Sequence, residues 1–422
     1  MNEQVWGAGR RVAFRFGVVF GALLIFPFPI GTIPKTDWLA TALGKPLTWA
    51  TQAFATAVLG LPEPAGGLNG SGDRTFEYVQ LLLFAILGVL GMLVWSVLDR
   101  RRKAYPQLSA AVHVVLRYAL ASAMLDYGVS KILRLQFSDL TPYELSTRVG
   151  EMSPMGLLWR FMDYSAPYTV FSGLMETVGG VLLLWRRTAT IGALVVTAVM
   201  TNVVLLNLCY DVPVKLYSAQ LLVFAGLIAA PGARRLIAAG LGHATSEVPP
   251  RMRMGPRRER IRLIAKLVML ASLAFGVYQQ VDSRSSRPPP HELYGNWLVD
   301  GFAVDGAEST QLTKDPVRWQ RLTGSARGVA IWLISGDRDP APDKGRGVYS
   351  AEVDSKAHTI TVTIDPQTKA KETWHYARPA PDQLVIDAPH LGKQLHVTLH
   401  REPEPLLLRR GFRWINEAPF NR

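Results

Sequence analysis

The stretch EYVQLLLFAILGVLGMLVWSVLDRRRK, from Glu77 to Lys103, decides the fold class. Its part 77–98 is apolar on every side, which marks a helix surrounded by apolar matter rather than one lying on a soluble core. A hydrocarbon layer of about 30 Å takes roughly 20 helical residues to cross, and this run has that length. It stops abruptly at Arg100-Arg101-Arg102-Lys103. Working outward, comparable runs lie near 12–33, 109–134, 166–185, 189–209, 213–231 and 262–280. Peptide groups in lipid have no water to bond, so such runs must be helices. The expectation is a mostly α-helical polytopic membrane bundle of about seven transmembrane helices over residues 1–281.

Composition agrees. The 422 residues are 49% hydrophobic and only 19% charged, too apolar for an ordinary soluble chain of this length. Forty-six Lys and Arg against 33 Asp and Glu give a net charge of +13. The basic residues collect where apolar runs end: Arg10-Arg11, Arg100 to Lys103, Arg186-Arg187 and the stretch 232–262. That placement signals membrane orientation, not a nucleic-acid partner, and it puts all four groups in the cytoplasm if the N-terminus is cytoplasmic. The C-terminal region is then exported from a cell inner membrane, into a periplasmic or extracellular space. The first run lacks a signal-peptide cleavage pattern and is expected to stay as an anchor.

The loops on the other side carry helices of their own. Leu39, Leu43, Leu47, Ala50, Phe54, Ala57 and Leu61 recur at helical spacing, which predicts a helix along the membrane surface, and Lys45-Pro46 argues against a further span. Thr141-Pro142 with Glu144, and Ser153-Pro154, each read as a helix start.

Residues 282–290, centred on Arg287-Pro288-Pro289-Pro290, read as a proline-stiffened linker. Beyond it the hydrophobic period changes to two: Ile360, Val362 and Ile364 alternate with threonines, and Val397 and Leu399 with His396, Thr398 and His400. Turn signals about every ten residues divide 291–402 into about eight short strands, a small all-β barrel or sandwich. Its start, Gly295-Asn296-Trp297, resembles that of lipocalin-like barrels, where the glycine relaxes the strand and the tryptophan closes the floor. That resemblance allows an interior ligand, but in so short a chain an interior filled by side chains is the favoured expectation. The tail 403–422, with Phe412, Trp414 and Ile415, is too aromatic to be free and is expected to dock on the barrel or the outer helices.

The third to sixth runs resemble the DoxX-like family of small membrane proteins. The residues that carry the resemblance are Arg117-Tyr118, Tyr127-Gly128-Val129-Ser130-Lys131, Glu176 with Gly179-Gly180 and Leu182-Leu183-Leu184, and the turn from Asn207 through Asp211 to Lys215. The shared core covers about 109–235. The resemblance implies the fold of that core, and some relatives form the membrane part of a thiosulfate:quinone oxidoreductase. A quinone is therefore the cofactor the resemblance allows. No cofactor is evident from the residues themselves.

Polar residues inside the runs are the candidate site. An ionisable side chain in hydrocarbon costs about 2.5–3.5 kcal/mol on insertion scales, so each calls for a partner or a wet cavity. Arg117, Asp126, Lys131, Glu176, Asn202, Asn207, Asp211 and Lys215 are these residues, most of them in the outer half of the bundle. Glu176 shares a helix face with Gly173 and Gly180, which lets a neighbour approach its carboxylate. Three readings are open: ion pairs that fix helix register, a pocket for a polar headgroup, quinone or proton path, and lysines (Lys131, Lys215, Lys266) that reach the interface.

Other chemistry is poorly supported. One cysteine, Cys209, excludes a disulfide framework and a CxxC pair. The histidines of 291–402 sit on a solvent face, so no metal site is expected, and no phosphate loop, dinucleotide fingerprint, HExxH or Ser-His-Asp context occurs. Catalytic residues are not identifiable. Two function classes follow: a protein that binds a lipid, a small apolar ligand or a membrane or periplasmic protein partner, or a quinone-linked membrane oxidoreductase or its membrane subunit.

Overall fold

The structure is a computed structural model that describes residues 5–67, 69–243, 255–285, 291–309, 317–326, 328–335, 348–365, 367–390 and 392–418. The chain divides into two compact units, 1–138 with 153–285, and 139–152 with 286–422.

The first unit is helical: α1 (Ala8–Ile25), α2 (Asp37–Ala57), α3 (Thr75–Leu98), α4 (Pro106–Ile132), α6 (Pro154–Tyr164), α7 (Ala166–Leu183), α8 (Ala189–Cys209), α9 (Lys215–Gly240) and α10 (Pro256–Ser285), with α5 (Pro142–Ser146) belonging to the second unit. Among the described residues six helices are long and apolar enough to cross a membrane, namely α1, α3, α4, α8, α9 and α10. The expected fourth span is present as α7, whose 18 residues include Glu176, and it is not among these six. It packs along both α4 and α8. Residues 37–57 form the expected separate helix, with Pro46 inside it.

Two ties in this unit join elements remote in sequence. Arg15 of α1 is buried, and its guanidinium donates to the Tyr105 hydroxyl (3.0 and 2.8 Å), to Ser96 Oγ (2.9 Å) and to the Asp99 carbonyl (2.9 Å). Asp73 accepts from the backbone N–H groups of Lys215 (2.8 Å) and Leu216 (3.0 Å), satisfying the free donors at the start of α9. Gly17 and Gly21, spaced as in a helix-packing pattern, have no described atom within 4 Å of their Cβ positions.

The second unit is a closed antiparallel barrel. Its strands are β1 (Gly295–Val304), β2 (Ala307–Glu308), β3 (Trp319–Ser325), β4 (Gly328–Leu333), β5 (Val348–Asp354), β6 (Thr359–Asp365), β7 (Ala370–Ala377), β8 (Gln383–His390) and β9 (Lys393–Arg401). The order is β1-β3-β4-β5-β6-β7-β8-β9, and β9 closes on β1 from Trp297↔Arg401 to Val304↔Leu395; the two-residue β2 merely extends β1. Eight strands thus form the barrel proper, and closure removes the free edges that would template aggregation. Alternation decides the faces. Leu395, Val397 and Leu399 are buried, while Thr398 and the histidines beside it point out.

The interior is filled. Trp297, Trp319 and Trp374 are fully buried and pack with Phe302, Leu322, Ile331 and Tyr349 in one continuous core, as an eight-stranded barrel of this size requires. Gly295 has φ +132°, a conformation that favours glycine, and Trp297 two residues on donates from Nε1 to the Leu293 carbonyl (3.0 Å) beneath the Arg401 guanidinium.

Two boundaries differ from the sequence reading. Residues 139–152 pack with the barrel: α5, capped by Thr141 and Glu144 as expected, lies on β1 and β3, with Tyr143 against Trp332 at 6.2 Å between rings. On the other side α10 continues to Ser285, and 286–290 lie outside the described residues. In the tail, Phe412, Trp414 and Ile415 are 79%, 90% and 77% exposed, so within the barrel unit the described residues do not bury them.

Candidate functional site

The site is built where α4 and α7 cross. Gly173 lies so close to α4 that an added Cβ would stand 2.5 Å from the Gly128 carbonyl oxygen and 2.8 Å from the Lys131 Cβ. Small residues let the backbones meet, as in other close helix pairs in membranes. One turn on, the approach brings Lys131 Nζ to 2.5 Å from Glu176 Oε1. Both side chains are buried, at 9% and 2% exposure. The glycine face expected beside Glu176 is thus in place, and the partner it admits is Lys131.

The pair borders a partly open cavity of about 120 Å³ lined by α4, α6, α7, α8, α9 and the loops beside them. Met124, Leu158, Met162, Met200 and Leu221 supply its apolar wall. Aromatic rings form much of the rest: Tyr127, Tyr168 and Tyr217 from the long helices, with Phe137 and Trp159 set edge to face at 5.3 Å. The α6 end is held to α7 by Thr169 Oγ1, which donates to the Met162 carbonyl (2.6 Å), and by the Ser165 cap of α7.

Several polar groups line this mainly apolar cavity. Glu176 Oε2 and Asn207 Nδ2 are both buried, and among the described residues neither has a hydrogen-bond partner. Asn202, Ser172 and Ser218 also line the space. Lys131 and Glu176 neutralise each other, so the cavity offers one open acceptor and one open donor without net charge. A buried polar atom left unpaired costs about 1–3 kcal/mol, which is what a bound group with matching atoms would recover.

Of the eight residues picked out in sequence, Lys131, Glu176, Asn202 and Asn207 line the cavity. The other four do not join them. Arg117 is buried elsewhere on α4 with its guanidinium 5.3 Å from the Tyr118 ring, and Asp126 is exposed on α4. Lys215 pairs with exposed Asp211 at 2.8 Å and lies 3.7 Å from Asp73 Oδ2, a tie at the start of α9. Lys266 rests over the Trp185 ring at 3.9 Å. Sequence reasoning missed Asp73 and the aromatic wall: Phe137 lies in a loop and Tyr168 at the start of α7, while Trp159 lies in α6, a short helix read only as a cover for the bundle. Among the described residues no group of three metal-ligating side chains comes together. On the barrel surface His396 and His400 each bond one carboxylate, Asp387 (2.6 Å) and Asp300 (2.7 Å).

No family model matches the chain, and no solved structure matches it. Among curated proteins, the uncharacterised protein YwoB of Bacillus subtilis (strain 168) is 35% identical over 124 residues, a match that covers 29% of this chain and 77% of YwoB. At that identity and coverage the two share a family: this chain belongs to the family of the uncharacterised protein YwoB.

Proposed function

We propose that this is a membrane protein whose helical unit binds a small uncharged amphiphile. The observation that carries the reading is the cavity beside the Lys131–Glu176 pair, with Glu176 Oε2 and Asn207 Nδ2 unbonded in an otherwise apolar and aromatic space. A comparable dry cavity of about 150 Å³ takes up benzene, so about 120 Å³ suits one ring or the end of a chain. A net charge on the ligand would find no counter-ion here, because the two ions present are already matched. The filled barrel core supports placing ligand binding in the helices rather than in the barrel. The same reading keeps the DoxX-like core over about 109–235, and counts α7 with the six apolar helices as a seventh span, which gives a cytoplasmic N-terminus and an exported barrel; arginines at the ends of the spans support it. The exported barrel would then be the surface for a membrane or periplasmic protein partner.

The test is to purify the full chain with its surrounding lipid in polymer-bounded discs and identify co-purifying small molecules by mass spectrometry and absorption. A neutral molecule is expected in the wild type and depleted at least tenfold in Asn207→Leu, which keeps the ion pair and the fold. A quinone among the bound species would favour the quinone-linked alternative, for which the aromatic wall is the supporting observation. Equal contents in wild type and Asn207→Leu would remove the cavity from the function.

A further inference from the structure

The C-terminal segment resolves into a small hook whose apolar side chains are left exposed by the described residues of the barrel unit. Leu406–Arg409 make one helical turn, Gly411 at φ +62° reverses the chain, and Arg410 Nη2 donates to Asn416 Oδ1 (2.6 Å), closing the turn. Phe412 and Trp414 stand edge to face at 5.1 Å, with Trp414 almost wholly exposed. Leu406, Leu407, Leu408 and Ile415 are exposed as well. Interleaved with them are Arg409, Arg410 and Arg413, and no acidic residue occurs between Leu406 and Ile415. Upstream, Glu402 is engaged by Arg321 at 2.8 Å.

We propose that residues 405–416 bind the surface of a bilayer that carries anionic headgroups. Two features select that occupant over a protein groove. Tryptophan and phenylalanine beside arginine form the side-chain set that settles at the water–hydrocarbon boundary, apolar bodies inward and guanidinium groups among the headgroups. Apolar insertion and basic attraction each hold a peripheral segment only weakly, and together they hold it stably. The hook has both, and the charge is of one sign, complementary to acidic lipid. The chain already carries six helices fit to cross a membrane, so the tail is tethered to a molecule that lives in one and pays little entropy to reach its surface.

The experiment uses the full chain with Cys209→Ser and Ala418→Cys, carrying an environment-sensitive fluorophore at 418. It is reconstituted in discs of phosphatidylcholine alone or of phosphatidylcholine with about one third phosphatidylglycerol. The expected result is quenching by a lipid-borne quencher in the anionic discs at least fivefold stronger than in the zwitterionic ones, reversed by high salt. Replacing Arg409, Arg410 and Arg413 by Gln is expected to abolish the charge dependence, and Phe412→Ser with Trp414→Ser to abolish the quenching. The same quenching in both lipids, or quenching indifferent to both sets of substitutions, would overturn the proposal. So would a fluorophore shielded from water yet unreached by the lipid quencher, which would show the hook seated on protein.

Discussion

The Lys131–Glu176 pair can be broken from either side, and the structure says how the two routes differ. At 2.5 Å and an effective dielectric of about 20, the attraction is about 7 kcal/mol, set against the cost of holding two charges out of water. Replacing Glu176 by Gln leaves the Lys131 ammonium buried without its counter-ion, and breaking a buried pair in this way costs about 3–5 kcal/mol. Lys131→Met with Glu176→Gln removes both charges at nearly the same volume, and that double change is expected to be neutral within about 1 kcal/mol. The assay is a double-mutant cycle of unfolding free energies, measured by titrating the purified chain from mild detergent into a denaturing one, with bound small molecules determined on the same samples. A coupling energy of about 3 kcal/mol or more is expected, with ligand lost in both single variants and in the double. A single variant as stable as wild type, or a double variant whose cost is the sum of the singles, would refute the claim that the two ions exist for each other.

Gly173→Ala should force α4 and α7 apart, costing about 1–3 kcal/mol by overpacking and loosening the ion pair; unfolding titration and ligand content read both effects. Tyr143→Ala should lower barrel stability by about 1 kcal/mol, because it uncovers Trp332, and Trp fluorescence during denaturation reads it. Barrel stability should also depend on pH through Glu292 and Tyr376. Hydrogen bonding from the Tyr376 hydroxyl holds the Glu292 carboxyl below its ordinary 4.5, so its contribution is in place above that pH and is lost as pH falls through the lowered folded value. Burial, then the bond to Glu292, pushes Tyr376 from 10 up to about 12, so its contribution is in place below pH 10 and is lost as pH rises toward 12. Thermal melts across pH should show both limbs, with Glu292→Gln flattening the acid one and Tyr376→Phe the alkaline one. A reporter fused after Arg422 should be active only on the exported side; activity in the cytoplasm would invert the proposed orientation.

What the sequence made legible follows from the range of the forces involved. Apolar runs ending in arginine gave the helices, and strict alternation around Val362 and Val397 gave the strands, since both patterns repeat within one element. The glycine face beside Glu176 was legible for the same reason, as Gly173, Glu176 and Gly180 lie on one helix. Which lysine meets that glutamate was not, because Lys131 stands 45 positions away and the choice depends on the α4–α7 crossing. The eight polar residues looked like one cluster in sequence because depth in the membrane was the only coordinate available. Rotation about each helix axis separates them, turning Asp126 outward and Lys131 inward on the same helix. Asp73 and α5 are further cases in which a short loop is claimed by an element distant in sequence.

The barrel carries the sharper argument about where function resides. Its Gly295-Asn296-Trp297 start allowed a container while the short chain favoured a filled interior, and three tryptophans do occupy the inside, with His390 wedged edge-on against Trp319, Trp374 and Tyr349 at ring-centroid distances of 5.7, 5.7 and 5.9 Å. A small ligand would have to displace large side chains already packed in contact, and each such removal costs about 3–5 kcal/mol before any binding begins. The bundle presents the opposite balance: an existing space, two polar atoms waiting for partners, and a charge pair whose desolvation has already been met by folding. Ligand binding is favoured where the protein has left polar atoms unsatisfied and volume unfilled, and in this chain both conditions meet beside Glu176.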